Sequence, residues 1–292
     1  MIALGPDGST VLALGDVDRP VFPRSSNKPL QAAGLLAAGW SPADEEQVAL
    51  ATASHSGEPE HLVVVRRLLA AAGLDVSALQ CPPMLPLSEP AAHALLARGE
   101  QATPLTMNCS GKHAAMLACC AANGWDVSTY LEQSHPVQVA MQQRIEELAG
   151  ERVLHVAVDG CGAPQHALSL RGLARSFAGL VHSERRVADA MRAYPHLVGG
   201  TGRDVTLLMQ GISGLVAKDG AEGVYAVALA DGGAVAVKVE DGAGRARTPI
   251  LVAALRHLGM SAPVLDELAT TPVLGGGRVV GETRVTAALA SP

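Results

Sequence analysis

Apolar residues along the chain follow two rhythms, one at the ends and one in the middle. Residues 1–15 carry short apolar runs on either side of Pro6-Asp7-Gly8, tight-turn chemistry that predicts a hairpin. The stretch KPLQAAGLLAAGW (28–40) has a proline early, good helix formers after it and no β-branched residue, which predicts a buried helix with Ser25 just before or at its first turn. Helical patterns recur at 60–72, 89–98, 111–123, 137–148, 184–193 and 248–258. Ser183 offers an N-cap for the 184–193 segment, with Arg186 where a capping box would have a carboxylate. Strand patterns are clearest at 152–158, 214–218, 224–230 and 234–240, and the turns DGAEG and DGG join the last three into an antiparallel meander. With helices in the middle and strands at the ends, the N-terminal hairpin is expected to join the meander in one sheet. The fold class predicted is α+β: an antiparallel sheet with packed helices and a helical middle. No repeat or low-complexity linker divides the chain, so 1–292 reads as one domain, within which about 58–150 could form a helix-rich subdomain.

Composition narrows the function. The 292 residues are 48% hydrophobic, enough for a substantial core, and the net charge is −6. Aromatics are scarce: Phe22, Trp40, Trp125, Tyr130, Phe177, Tyr194 and Tyr225. A nucleic-acid binder needs a basic face and often stacking platforms, so that class is set aside. No apolar run reaches the roughly 18 residues of a membrane span. The start MIALGPDGST lacks the basic and apolar regions of a signal peptide, and the five cysteines are an odd number in a long chain, so a reducing cytoplasm is expected. Only Lys28, Lys112, Lys218 and Lys238 among the 22 basic residues are lysine. Lysine, unlike arginine, can lose its proton when buried, so these positions are candidates for chemistry; codon bias would leave them without meaning.

Four segments could carry chemistry. Ser25 and Lys28, three apart at a helix start, share a face about 5 Å apart, where a neutral amine can take a serine proton. The bland alternative is a capping serine and an exposed lysine. Lys218 precedes Asp219-Gly220-Ala221, a strand end that partly matches the Lys-[Ser/Thr]-Gly strand bordering the nucleophile of serine acyl-transfer enzymes; otherwise it is an exposed hairpin lysine. Ser54-His55-Ser56-Gly57 follows an apolar run and reads as a site loop, or as a cap, by Ser56 or Glu58, for the helix at 60–72. Asn108-Cys109-Ser110-Gly111-Lys112-His113 pairs with Asp159-Gly160-Cys161-Gly162, and the two thiols, the histidine and the carboxylate could bind zinc, although the spacing is not that of a zinc finger and buried structural cysteines are the commoner outcome.

The stretches RSSNKPLQA (24–32), ASHSGEPEH (53–61), NCSGKHAAML (108–117), DGCGAP (159–164), GGTGRDVTLLM (199–209) and VAKDGAEGVYAVAL (216–229) together resemble, in order, the rhizobial-type (class 3) L-asparaginases, the asparaginase II family. The resemblance implies the fold of serine β-lactamases and glutaminases, with Ser25 as nucleophile, Lys28 as its base, and Ser54 with Lys218 as a second Ser–Lys pair. It implies that Cys109, Lys112 and Cys161 hold zinc, and that Arg24, His113 and Asp159 line the substrate pocket. L-asparagine is then the substrate and the protein a homodimer, with backbone N–H groups of Ser25 and Ala221 as the oxyanion hole. Family members usually begin with a Glu-Ser-x-His stretch that this sequence lacks, so the sheet is expected either to miss a strand or to reflect a mis-assigned start. Two rivals remain: a penicillin-recognising serine acylase or peptidase, and a catalytically silent zinc- or amino-acid-binding homologue.

Overall fold

The computed structural model describes residues 1–286 and Leu289. Strands β1 (Ile2–Leu4) and β2 (Thr10–Ala13) form the expected opening hairpin. Helices α1 (Lys28–Ala37), α2 (Glu45–Ala51), α3 (Pro59–Ala71), α4 (Glu89–Ala97), α5 (Ser110–Asn123) and α6 (Pro136–Ala149) follow. A small hairpin of β3 (Val156–Val158) and β4 (Pro164–His166) leads to α7 (Leu170–His182), α8 (Arg185–Ala193), α9 (Pro195–Val198) and α10 (Asp204–Gly211). The meander is β5 (Val216–Gly220), β6 (Val224–Ala228) and β7 (Ala234–Lys238). Helices α11 (Arg247–His257) and α12 (Pro263–Glu267) and the hairpin β8 (Thr271–Gly275) and β9 (Arg278–Thr283) complete the described elements.

Hairpin and meander join in one antiparallel five-stranded sheet of order β2-β1-β7-β6-β5, as the distribution of strand patterns predicts. Ile2 pairs with Ala236, and Lys218 with Ala226. Consecutive residues of β1, β5 and β6 are all buried, so both faces of the central strands are covered; α7 and α11 both pack against β7, β6 and β1. Helix α7 buries Leu170, Leu173, Ala174, Phe177, Leu180 and Val181, one apolar stripe at helical spacing, and Ser169 caps it by accepting from Gly172 N–H at 2.8 Å.

Two glycines bring the helices close. A Cβ on Gly34 of α1 would lie 2.8 Å from Met141 Cα of α6, and one on Gly111 of α5 would lie 2.5 Å from the Leu50 carbonyl oxygen of α2. Such approaches need glycine, and they set α5 against α2, which ends at the Ser54 loop. Two expectations are corrected, and one left open is decided. The segment 152–158 forms a strand only over Val156–Val158, paired with β4 outside the main sheet. Ser183 is not an N-cap: it ends α7, its hydroxyl donating to the Gly179 carbonyl at 2.8 Å, and α8 starts with no side-chain cap. The apolar run before Ser54 is helix α2.

Candidate active site

The chain enters the site through a strained turn. Residues Arg24–Asn27 form a 3₁₀ turn between Pro23 and α1, with Arg24 at φ 52°. An arginine gains nothing locally in that left-handed region, so tertiary contacts hold it. Arg24 Nε donates to Asp159 Oδ1 at 2.7 Å, and its Nη1 pairs with Glu222 Oε1 at 2.9 Å. On the other side of the nucleophile candidate, Ser26 Oγ donates to the Lys218 carbonyl at 3.1 Å and Asn27 Nδ2 to the His166 carbonyl at 3.0 Å. These contacts pin the residues on either side of Ser25. Its own hydroxyl is half-buried and, among the described residues, makes no hydrogen bond.

Lys28 and Lys218 are both fully buried. Neither bland alternative survives, since Lys28 is not exposed and α1 has no side-chain cap from Ser25 or any other residue. Lys28 Nζ donates to the Ala53 carbonyl at 2.5 Å, to Ser54 Oγ at 3.1 Å and to Cys109 Sγ at 3.1 Å. The serine it meets here is therefore Ser54; no hydrogen bond joins it to the Ser25 hydroxyl among the described residues. Lys218 lies inside β5 rather than at its end, and donates to the Asp219 carbonyl at 2.7 Å and to Asp219 Oδ1 at 2.5 Å. Burial lowers the Lys218 ammonium to about 8; Asp219 pulls it back up, and the cations Lys28 and Arg203 push it down again. Asp219 is buried too, which favours its neutral form, but Lys218, Arg203 and Arg247 overcome this and hold the carboxyl well below the ordinary range.

Arg203 ties the Ser54 loop to β5. Its Nη1 donates to the Ser54 carbonyl at 2.7 Å and its Nη2 to Asp219 Oδ2 at 2.6 Å. Ser54 N–H in turn donates to the Val198 carbonyl at 3.1 Å. His55 is buried and neutral: its Nδ1 accepts from Gly57 N–H at 3.1 Å, leaving Nε2–H for Ser110 Oγ at 2.9 Å, and burial first, then His61, Lys28 and Arg203, lower its basicity. Ser56 does not cap α3; its hydroxyl donates to the Gly199 carbonyl at 3.0 Å, and Glu58 is the N-cap residue. Ala221 is exposed in the turn after β5. Gly220 lets the chain before that turn pack against the residues flanking Ser25, since a Cβ there would lie 2.5 Å from the Pro23 carbonyl oxygen and 3.0 Å from Ser26 Oγ.

The sulfur group adjoins this cluster. Cys109, at the start of α5, donates through Sγ to Asn108 Oδ1 at 3.1 Å, and Lys112 Nζ lies 3.2 Å from Cys161 Sγ. Neighbouring Cys109, the Lys112 charge and His113 lower Cys161 below the ordinary thiol range, whereas Cys161 and burial push Cys109 up. Burial would lower Lys112, but Cys161, Cys109 and Asp159 outweigh it and raise it, so it is held as an ammonium beside Cys161. Gln80 N–H donates to the Tyr130 hydroxyl at 3.0 Å, leaving the phenolic proton for His113 Nδ1 at 2.7 Å; His113 Nε2 is buried with no hydrogen-bond partner. Among the described residues, no group of three or more His, Cys, Asp or Glu is arranged to hold a metal; the convergent donors are two thiols and one amine. The other cysteines, Cys81, Cys119 and Cys120, are buried thiols, with Cys81 and Cys120 pushed up to about 12 chiefly by burial.

The residue types singled out from sequence thus meet in one region, with Arg203, Asp219, Arg247 and Tyr130 as further members. Arg203 follows Gly199-Gly200-Thr201-Gly202, and that glycine density is the one local signal for it; a Cβ on Gly200 would lie 2.2 Å from Ser56 Oγ. A cavity of about 790 Å³, lined by Ser56, Glu58, Ser88, Glu89, Thr201 and Arg203 among others, flanks the Arg203 side without including Ser25 or Lys28. No curated protein matches the chain significantly in sequence. The family model described as L-asparaginase II does match, over residues 1–285, and the chain belongs to the L-asparaginase II family.

Proposed function

We infer that the protein deamidates L-asparagine to L-aspartate and ammonia through an acyl-enzyme on Ser25. One observation carries the reading: three of the chain's four lysines, Lys28, Lys112 and Lys218, are buried around one region that also holds Ser54 and the free hydroxyl of Ser25. Burying three cations is costly unless their protons are used or well paired. Family membership makes asparagine the expected substrate. The architecture, a five-stranded antiparallel sheet with the Ser-x-x-Lys turn on its first helix, supports likeness to the serine β-lactamases and glutaminases.

In this mechanism Ser25 Oγ attacks the side-chain amide carbon and its proton passes to Lys28. Lys28 accepts it as the neutral amine, which has two N–H donors and a lone pair, so only two of the three contacts, to Ala53, Ser54 and Cys109, are donor bonds in the reacting state. The oxyanion lies between the backbone N–H groups of Ser25 and Ala221, brought together by the close approach of Gly220 to Pro23. Ser54 and Lys218, which in the structure bond Lys28 and Asp219 rather than each other, deliver the proton to departing ammonia; with Lys218 lowered to about 8, its amine exchanges protons near neutral pH. Water then hydrolyses the ester to aspartate. Arg24, His113 and Asp159 surround the substrate.

Cys109, Lys112 and Cys161 would hold zinc. The donor set fits in kind, because the surroundings of Cys161 lower it and favour its thiolate, although Lys112 has to lose its proton to become a ligand. When bound, the ion supplies a Lewis acid that orients the substrate. The free, buried cysteines support a reducing, cytoplasmic location. A homodimer rests on the family resemblance alone. Ammonia release from L-asparagine by the purified protein tests the reading; none, in zinc-containing buffer, would overturn it, and acylation by a chromogenic β-lactam would favour the penicillin-recognising alternative.

A further inference from the structure

Among the described residues only two non-glycine residues have positive φ, Arg24 at 52° and Glu222 at 59°, and they are paired to each other at 2.9 Å. Both positions would cost less as glycine, and strain of this kind marks places where a side chain is needed. Arg24 precedes Ser25, and Glu222 follows Ala221, so the pair spans the two backbone segments on which the reaction is proposed to run. Arg24 holds two carboxylates of different character. Asp159 is 8% exposed and also within 3.5 Å of Cys161 Sγ, whereas the Glu222 side chain is 59% exposed on a turn. An incoming carboxylate can therefore displace Glu222 but not Asp159.

We propose that Glu222 is a specificity-determining residue that holds Arg24 in the free protein, yields it to the substrate α-carboxylate, and then takes the substrate α-ammonium. Charge pairing gives the direction. Two carboxylates on one guanidinium leave one negative charge uncompensated. A zwitterionic amino acid brings one charge of each sign, so the net charge of the group is unchanged; with its carboxylate on Arg24 and its ammonium on Glu222, Glu222 gains a counter-ion of its own, and Asp159 and the substrate carboxylate share Arg24 as Asp159 and Glu222 did before. The ligand class is a small amide with both α groups free. N-acylated amides and peptides lack the ammonium, and the exchange then leaves Glu222 unpaired.

The inference rests on the amidase reading for its site, and its test separates the two. Glu222→Gln keeps the shape and removes the charge; Glu222→Gly removes the side chain and suits the positive φ, so one of them retains the fold. For each, KM is measured for L-asparagine and for succinamate, the same amide without the amine. Removing a charge-assisted hydrogen bond to the ammonium predicts a rise in KM of about tenfold or more for L-asparagine, with succinamate unchanged or lower. An equal rise for both ligands would make Glu222 a mere prop for Arg24, and a fall for both a mere competitor; either overturns the proposal. Should the wild type turn over neither amide, the amidase reading fails, and the same comparison is made on dissociation constants by calorimetry: loss confined to the amine-bearing ligand supports the proposal and equal loss overturns it.

Discussion

Lys218→Met is expected to abolish asparagine hydrolysis and yet make the protein more stable at neutral pH. Lys218 is fully buried, and its ammonium lies at about 8 against an ordinary 10.5. At about 1.4 kcal/mol per tenfold, keeping this lysine charged in the fold costs about 3 kcal/mol. Because the folded value lies below the unfolded one, the cost is full below pH 8, where both states are charged. It shrinks between about pH 8 and 10.5, where the unfolded chain binds more protons, and vanishes above that range. Methionine has a similar unbranched shape and no charge. Asp219 is not orphaned by the change, since Arg203 stays at 2.6 Å and Arg247 at 3.8 Å. Losing the amine's hydrogen bonds to Asp219 returns about 1 kcal/mol, so the net gain at pH 7 is about 2 kcal/mol. Urea denaturation of both proteins at pH 7, 8.5 and 10 reads it directly, with the variant's advantage falling as pH rises. A variant less stable than wild type at pH 7, or an advantage that ignores pH, would refute the account of how burial tunes this lysine.

Ser25→Ala is expected to remove ammonia release while shifting the unfolding free energy by no more than about 0.5 kcal/mol, because the hydroxyl makes no hydrogen bond among the described residues; retained turnover excludes Ser25 as nucleophile. Gly220→Ala puts a Cβ against the Pro23 carbonyl and displaces the Ala221 turn from Ser25, so kcat is expected to fall about a hundredfold, and kinetics near wild type would show that this approach does not build the oxyanion hole. Zinc is expected at about one equivalent by elemental analysis after chelator-free purification, with affinity falling as pH drops because Lys112 is held as an ammonium, and its removal should raise KM more than it lowers kcat; absence of zinc sinks the site.

What could be read without coordinates was local. Alternation over 224–230 and 234–240 with an Asp-Gly-Gly turn between makes a hairpin wherever it is placed, and β6 and β7 pair from Val224 with Lys238 to Ala228 with Ala234. Helix α7 is hard to see in the sequence because Gly172 and Gly179 dilute its propensity; both are needed where Glu151 and Leu148 approach, a demand set by segments far along the chain. Residues 152–155 alternate like a strand but form no ladder: Val153 N–H donates to Glu146 Oε1 and only the His155 carbonyl bonds across, accepting from Ala167 N–H, and pairing, not pattern, decides a strand. In the site, the rarity of lysine and the spacing of Ser25 and Lys28 mark the chemistry, since amine and hydroxyl reactivity belong to the residue types themselves. That Lys28 reaches Ser54 and Cys109, that Arg203 joins Ser54 to Asp219, and that Glu222 returns to Arg24 depend on contacts 16 to 198 residues apart. The protonation of Lys218 belongs to the same level. A lysine side chain has one intrinsic basicity; only the packing that strips its water and sets Asp219, Lys28 and Arg203 around it brings that value to about 8.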